Sequence, residues 1–451
     1  MSDIAMLLEG VGLEAFDDAQ APTPALDLTV DLTPLTETSA VVDTALGEME
    51  AERQRLVGLR DAYDYGQSMR ETLSESAAAD LQQRVIAVLG EERATTIVGS
   101  VESYNGPLAG SLLTCGLESI SGFLRNAIAE LIRLIRTGIR TMMQYFSSAR
   151  VVLGKQLEAN DLLRKALGSS DAPWQNWALE VKDVYRGVTI GSAKVTGPQL
   201  RALCTTDGSS LTVPEDFVGI LKSTAHFILN SAIPGLSGLN DHYAAILQVV
   251  RKLPSMSEPS RFLHLAQLHI DRFVPANRLL ASGPDKHGMC MLSTNQLMGA
   301  KVFNIRATPI VMHQRYGHDA NALEVVKQMS QTTAGVNSVN LRNVRTQLSV
   351  RALSQPAGLA SLDQVDYIAN VFLKLDYADD MNTLAKVADR LAHEVLLQLD
   401  GDSRMDFCGR VTEIMSALTS VTASATRELI AYVNELCDAV RAYVSVSAGI
   451  R

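Results

Sequence analysis

The sequence predicts a predominantly helical α+β fold. Three observations carry it: a helical pattern from Glu118 to Leu167, β-branched segments in partial alternation after Gly168, and a heptad-like apolar seam near the C-terminus. Four regions follow from them. Residues 1–102 form an acidic helical N-terminal region, 103–168 a joint and a long basic amphipathic helix, 169–358 a small α+β middle domain, and 359–451 a C-terminal antiparallel helical hairpin.

The first 42 residues open with an amphipathic segment, IAMLLEGVGLEAF, and continue as AQAPTPALDLTVDLTPLTETSA. Pro, Thr and Asp dominate this second part without periodicity, which predicts an extended linker. From Val42 to about Leu89 the pattern turns helical, in two segments around LGEMEAERQRLVGLRDAYDYG and SAAADLQQRVIAVLG. TTIVGSVESYNGPLAGSLLTCGLES then supplies glycines and serines with few charges. It reads as a flexible joint, where an accessible backbone suits proteolysis.

The long helix comes next, with Ser147 and Ser148 marking the place where it could break. At about 100° per residue, Phe123, Leu124, Ala127, Leu131, Leu134, Ile135, Met142 and Tyr145 share one face, bordered by Ile128, Ile132 and Ile139. Arg125, Arg133, Arg136, Arg140 and Arg150 lie almost opposite. Three uses fit such a helix. Its apolar face can dock on the protein's own core with the arginines solvated, the arginines can touch nucleic acid, or the helix can lie on a membrane surface.

Beyond Gly168, SSDAPWQNW resembles a helix start at Asp171 and Pro173, although Trp174 and Trp177 suit a sheet edge equally. VYRGVTIGSAKVTG and SSLTV predict short strands, and GMCMLST, GAKVFNIRA and PIVMHQR a second set. Asp216–Ala232, Asn240–Lys252 and Pro259–Phe273 read as helices packed on them, whereas residues 331–358 show no clear period. In the last region Val411, Ile414, Leu418, Val421 and Ala425, led by Phe407, alternate at spacings of four and three. Leu362–Leu399 supplies a partner helix, with GDSR as the turn. Such a hairpin can cap the middle domain or dimerise as a coiled coil.

Charge is unevenly spread in a chain of net charge −10. Residues 1–102 hold 20 Asp and Glu against 6 Arg and no Lys, and residues 103–451 hold 30 acids and 34 bases. Removing the head would thus leave a mildly basic body better suited to polyanions. Asp3 and Glu9 stand where a secretory signal needs basic residues, and the uncharged run Ser223–Asn240 carries a histidine, two asparagines and a proline, so neither a signal nor a transmembrane helix is expected. Five scattered cysteines without a CxxC pair argue against a disulfide framework or a zinc site, which points to synthesis in a reducing cytoplasm.

Nothing spells out a reaction. His264, His269 and Asp271 form one grouping, but histidines five apart point about 140° away from each other on a helix. His313, His318 and Asp319 form another, in a turn-like setting beside Tyr316 and Gly317. Both read as structural or solvated histidines. With no Walker loop, GxSxG, HExxH or strand-linked GxGxxG, no catalytic, cofactor-binding or metal residue is assigned and a non-enzyme is expected.

The order of parts resembles the internal head proteins, or inner-body proteins, of large tailed bacteriophages: an acidic head, a joint with VESY and GLESISG, the helix FLRNAIAELIRLIRTGIRTMMQYF, an α+β middle and a helical hairpin. The resemblance implies a structural protein inside the capsid with the DNA. It further implies that the acidic head is a propeptide, removed by a prohead protease after a small residue, any residue, and glutamate. Ser100-Val101-Glu102 fits that triplet, and Gly116-Leu117-Glu118 is a second match. So do Gly12-Leu13-Glu14, Gly90-Glu91-Glu92, Ala178-Leu179-Glu180, Ala322-Leu323-Glu324 and Ala392-His393-Glu394, but Ser100–Glu102 lies in the joint. The implied partners are the protease, other capsid or inner-body proteins, and packaged DNA held without sequence specificity through the arginine face. Ejection with the genome, with membrane contact afterwards, is a further expectation. Competing readings are a membrane-active ejected protein, an injected host-modifying enzyme that uses the middle domain, and a bacterial helical scaffold unrelated to phage.

Overall fold

The computed structural model describes residues 28–169, 174–190, 193–237, 279–281, 290–307, 332–339, 341, 344–375, 385–386, 389 and 402–450. The predominantly helical α+β class is observed, with one long helix and small antiparallel sheets.

Helix α1 (Thr33–Ser68) starts earlier than its composition suggests, so the last ten residues of the expected linker are helical. Pro34 sits in the first turn, where a missing N–H costs nothing. Leu35, Val42, Leu46 and Met49 recur along one face and are buried, so packing against the body overrides local propensity. Ser74 caps α2 (Glu75–Leu89), accepting from the Ala77 N–H at 3.2 Å. Gly90 and Gly99, at φ 85° and 74°, end α2 and α3 (Glu91–Val98) in conformations that L side chains rarely adopt.

The organising helix, α4, runs unbroken from Ala109 to Ser169, roughly 90 Å at 1.5 Å per residue. It begins nine residues before Glu118, because Leu113 and Leu117 extend the buried stripe backwards. Nor does it break at Ser147, whose hydroxyl donates to the Met143 carbonyl at 3.1 Å and is satisfied within the helix.

After α4 the chain forms β1 (Ala178–Val181), a β2–β3 hairpin (Val188–Ile190, Ala193–Val195), α5 (Gly197–Ala202), β4–β5 (Thr205–Thr206, Leu211–Thr212) and α6 (Phe217–Phe227). Thr196 and Gln199 make a capping box on α5, and Asp216 caps α6 through the Gly219 N–H at 3.0 Å. A single π-type turn, Ile228–Ala232, continues α6, and helical backbone runs on to residue 237, past the end expected from the sequence. The four-stranded antiparallel sheet has the order β6-β7-β8-β9, from Leu280–Ala281, Cys290–Ser293, Lys301–Ala307 and Thr333–Ser338. Strand β10 (Leu348–Arg351) pairs back with β1. Both β9 and β10 fall in the stretch that shows no period, being six and four residues long and anchored by distant partners. The expected helices Asn240–Lys252 and Pro259–Phe273 and all of PIVMHQR lie outside the described residues, as do both histidine groupings.

Helix α7 (Gln355–Lys374) runs antiparallel to α8 (Asp402–Ser447): the Leu353 N–H meets Ser447 Oγ at 3.0 Å, and Val365 lies against Cys437. Of the expected turn GDSR, Asp402–Arg404 already belong to the first turn of α8, and the rest of the connection lies largely outside the described residues. Rather than capping the middle region, α8 is the central pillar. From Val411 onward it is buried on nearly every side, against α1, α4, α5, α7, β3 and β9. The a/d pattern marks one side of α8, whereas Met415, Thr419, Thr422 and Thr426 bury the others.

Candidate processing segment and arginine face

Two features of the sequence point to function, the triplets before α4 and the arginines along it. Ser100-Val101-Glu102 lies between α3 and α4. Ser100 is extended, at φ −75° and ψ 125°, and Val101–Asn105 forms a 3-10 turn in which the Ser103 N–H donates to the Ser100 carbonyl at 3.0 Å. Ser100, Glu102 and Ser103 are exposed. The joint is nevertheless pinned. Tyr104 is 2 % exposed, and its hydroxyl donates to the Val98 carbonyl at 3.0 Å. Burial also raises the pKa of that phenol, so it stays a donor. Asn105 donates to Glu75 at 2.8 Å from the same turn.

Gly116-Leu117-Glu118 lies inside α4, with Gly116 and Leu117 buried and Glu118 exposed. A Cβ at Gly116 would come within 3.0 Å of the Ile97 carbonyl, so close packing of α3 on α4 accounts for this glycine. Of the other triplets, Gly90–Glu92 spans the α2–α3 junction and Ala178–Glu180 lies in β1. Gly12–Glu14, Ala322–Glu324 and Ala392–Glu394 lie outside the described residues.

All five arginines are exposed, but most are engaged. Arg133 makes a two-pronged pair with Glu130 at 2.5 and 2.8 Å, Arg136 bridges Asp389 at 2.7 Å, and Arg150 donates to the Leu375 carbonyl at 3.2 Å. Arg125 and Arg140 have no ion pair among the described residues. The opposite face is buried apart from Phe123, which is half-buried: Leu124, Ala127, Leu131, Leu134, Ile135, Met142 and Tyr145 all pack into the core, together with the border residues Ile128, Ile132 and Ile139. Of the three uses open to the helix, docking on the protein's own core is the one observed, and a membrane cannot reach that face while α1 and α8 cover it. Among the described residues no helix is long and apolar enough to cross a membrane, and no group of three metal-ligating side chains comes together.

The structure adds two charged sites that the sequence reading missed. Glu413 of α8, 3 % exposed, accepts from Arg60 Nη1 of α1 at 2.8 Å, with Arg53 3.9 Å away on its other oxygen. Near the far end of α4, Arg441 of α8 is 2 % exposed. It donates to Gln156 at 2.5 Å, Asn160 at 3.3 Å and Asp438 at 3.0 Å, while Arg164 bridges Asp363 at 3.0 Å and Asp366 at 2.5 Å on α7. These donors and acceptors match one another, as buried polar networks must. The available signal was a charge on an apolar stripe: Arg60 falls among Leu56, Leu59 and Tyr63, and Arg441 among Cys437, Val440 and Val444.

Helices α1–α4, the Glu102 turn and the first three strands all fall within one homologous stretch. Residues 8–195 match the family model of the phiKZ-like phage internal head proteins. The match names the family that the order of parts resembles. No curated protein and no solved structure matched the chain.

Proposed function

We propose that this protein is a structural, non-enzymatic internal head protein of a tailed phage. It resides in the capsid interior with the packaged DNA, after a prohead protease has cut the chain behind Glu102. The family match over residues 8–195 carries the reading. Geometry supports the choice of Ser100–Glu102 over Gly116–Glu118. A protease needs a few residues in extended form, and opening a short exposed turn disrupts less than unwinding α4 around the buried Leu117.

Other inner-body proteins and DNA are the partners. Arg125 and Arg140, without an ion pair among the described residues, offer cationic groups for phosphate, and Arg133, Arg136 and Arg150 become available only by exchanging the partners they now hold. Sequence-independent contact of this kind fits ejection with the genome. The test is the N-terminal residue of the chain recovered from purified particles, read by mass spectrometry of semi-specific peptides. Ser103 is expected, and a chain that begins at Met1 or Ser2 overturns the processing step.

A further inference from the structure

The segment before Glu102 is built into the fold as an ordinary core element. Helix α1 lies antiparallel to α4, with Met49 near Gly138 and Gly66 against Leu117, and antiparallel to α8, with Asp43 near Arg427 and Arg60 near Glu413. Its Val42, Met49, Leu56, Leu59 and Ala62 are inaccessible to solvent. They cover Leu124, Ile128, Leu131, Ile135 and Met142, which would otherwise form an apolar strip along more than four turns of α4. Arg427 holds Asp43 and the Ser39 carbonyl, and among the described residues Glu413 has ion pairs only with Arg53 and Arg60 of α1. Close to the cut, the Tyr104 to Val98 and Asn105 to Glu75 hydrogen bonds and the Ile97–Gly116 contact all join residues on opposite sides of the Glu102–Ser103 bond.

We infer that residues 28–102 stay seated on the body after the chain is cut behind Glu102, so that processing nicks this protein rather than stripping it. The inference rests on the processing reading above, and deepens it by naming the occupant of the α4–α8 face: the chain's own α1–α3. Cutting one peptide bond in an exposed turn removes no buried contact. Release would uncover the apolar strip and leave a buried carboxylate without its arginines. The triplet specificity acts in the same direction, because between Glu14 and Gly90 six glutamates occur and none is preceded two positions earlier by a small residue. A protease of that specificity has nowhere to cut α1 or α2. One consequence concerns charge. The described part of the head carries 14 acids and 6 arginines, so a nicked, assembled protein does not become the basic body that a bare 103–451 chain would be.

The test uses the full chain with a site-specific protease sequence inserted after Glu102, shown uncut to match the native chain in circular dichroism and melting. After cutting, size-exclusion chromatography at micromolar concentration and physiological salt should return both fragments in one peak with the helical signal unchanged. DNA affinity should shift less than twofold. Separate peaks, or an affinity gain of tenfold or more, overturn the inference. Purified particles supply the second arm. A body that begins at Ser103 together with equimolar peptides from 33–89 supports retention. The same body without those peptides overturns retention and leaves the processing reading standing. A peptide that spans Glu102–Ser103 in full yield overturns the processing reading, and the chromatography then decides retention by itself.

Discussion

Replacing Glu413 by Ala should destabilise the protein by about 3 kcal/mol, the lower end of the range for breaking a buried ion pair. The reasoning starts from what each partner keeps. Arg60 is left with its guanidinium close to the core and its 2.8 Å acceptor gone, which is the costly part. Arg53 loses only a 3.9 Å neighbour and retains Glu50 at 2.7 Å through two nitrogens, so its share is small. A loss of that size changes the unfolding equilibrium by about two orders of magnitude, and appears in urea titrations as a lower midpoint with an unchanged slope.

Two companion variants separate charge from shape. Glu413→Gln keeps the volume and one acceptor, and should fall between wild type and Ala. The double variant Arg60→Met with Glu413→Leu removes both charges and should cost less than Glu413→Ala alone, because no guanidinium that has lost its Glu413 acceptor remains at the core. The reasoning is refuted if Glu413→Ala shifts stability by less than 0.5 kcal/mol, or if the double variant is the least stable of the three.

Further outcomes follow from single sites. Burial pushes the thiols of Cys204 and Cys437 up to about 12, and Cys408 is also buried, so peptide mapping after brief alkylation of the native protein should find Cys115 labelled and these three protected. Tyr104→Phe removes the hydroxyl that holds the Val98 carbonyl and should cost about 1 kcal/mol while speeding limited proteolysis after Glu102; an unchanged cleavage rate would remove Tyr104 as the pin of that turn. Glu428 is half-buried, and desolvation raises its carboxyl above the ordinary value despite the 2.7 Å hydrogen bond from the Val336 N–H. The folded state therefore binds its proton more tightly than the unfolded state. Its contribution to stability is most favourable below the unfolded pKa and declines as pH rises through the raised folded value. Glu428→Gln should consequently gain on wild type between pH 4 and pH 8 in chemical denaturation, and a gap that narrows over that span contradicts the assignment. Arg125→Glu combined with Arg140→Glu should weaken DNA binding and flatten its dependence on salt, with little effect on the melting temperature.

The helical part of the fold was legible because its signal is local. The α4 stripe, the helical segment that becomes α2, the beginning of a helix at Asp216 and the a/d spacing of α8 all read directly from residue order. What escaped depends on distant partners. Strands β9 and β10 have too few residues to show a period, and exist because β8 and β1 pair with them. The early start of α1 is likewise set by the surface that α4 and α8 present, against a composition that favours an extended chain. At the candidate site, the triplet and the arginines could be read as residue types, but not their engagement. That Arg136 reaches Asp389, and that Tyr104 fastens the joint, are facts of the folded chain.

The boundary of the family match does not coincide with a boundary of packing, and this yields a last prediction. Residues 8–195 contain α1 to α4, but α8, more than 200 residues further on, fills the space between them. It supplies Glu413 to α1, Arg427 to Asp43, and Arg441 to Gln156 and Asn160 on α4, together with Leu418 and other buried apolar side chains. A fragment limited to 8–195 would keep the α1–α4 contact and expose everything that α8 covers, with Arg60, Gln156 and Asn160 left without partners they now have on α8. It should therefore self-associate or melt without a cooperative transition, whereas a 402–450 peptide added in trans should restore a sharp one. If 8–195 alone unfolds cooperatively as a monomer, the matched region is an autonomous domain and α8 is an accessory to it. If the peptide rescues it, the matched region needs a central helix that lies outside its own bounds.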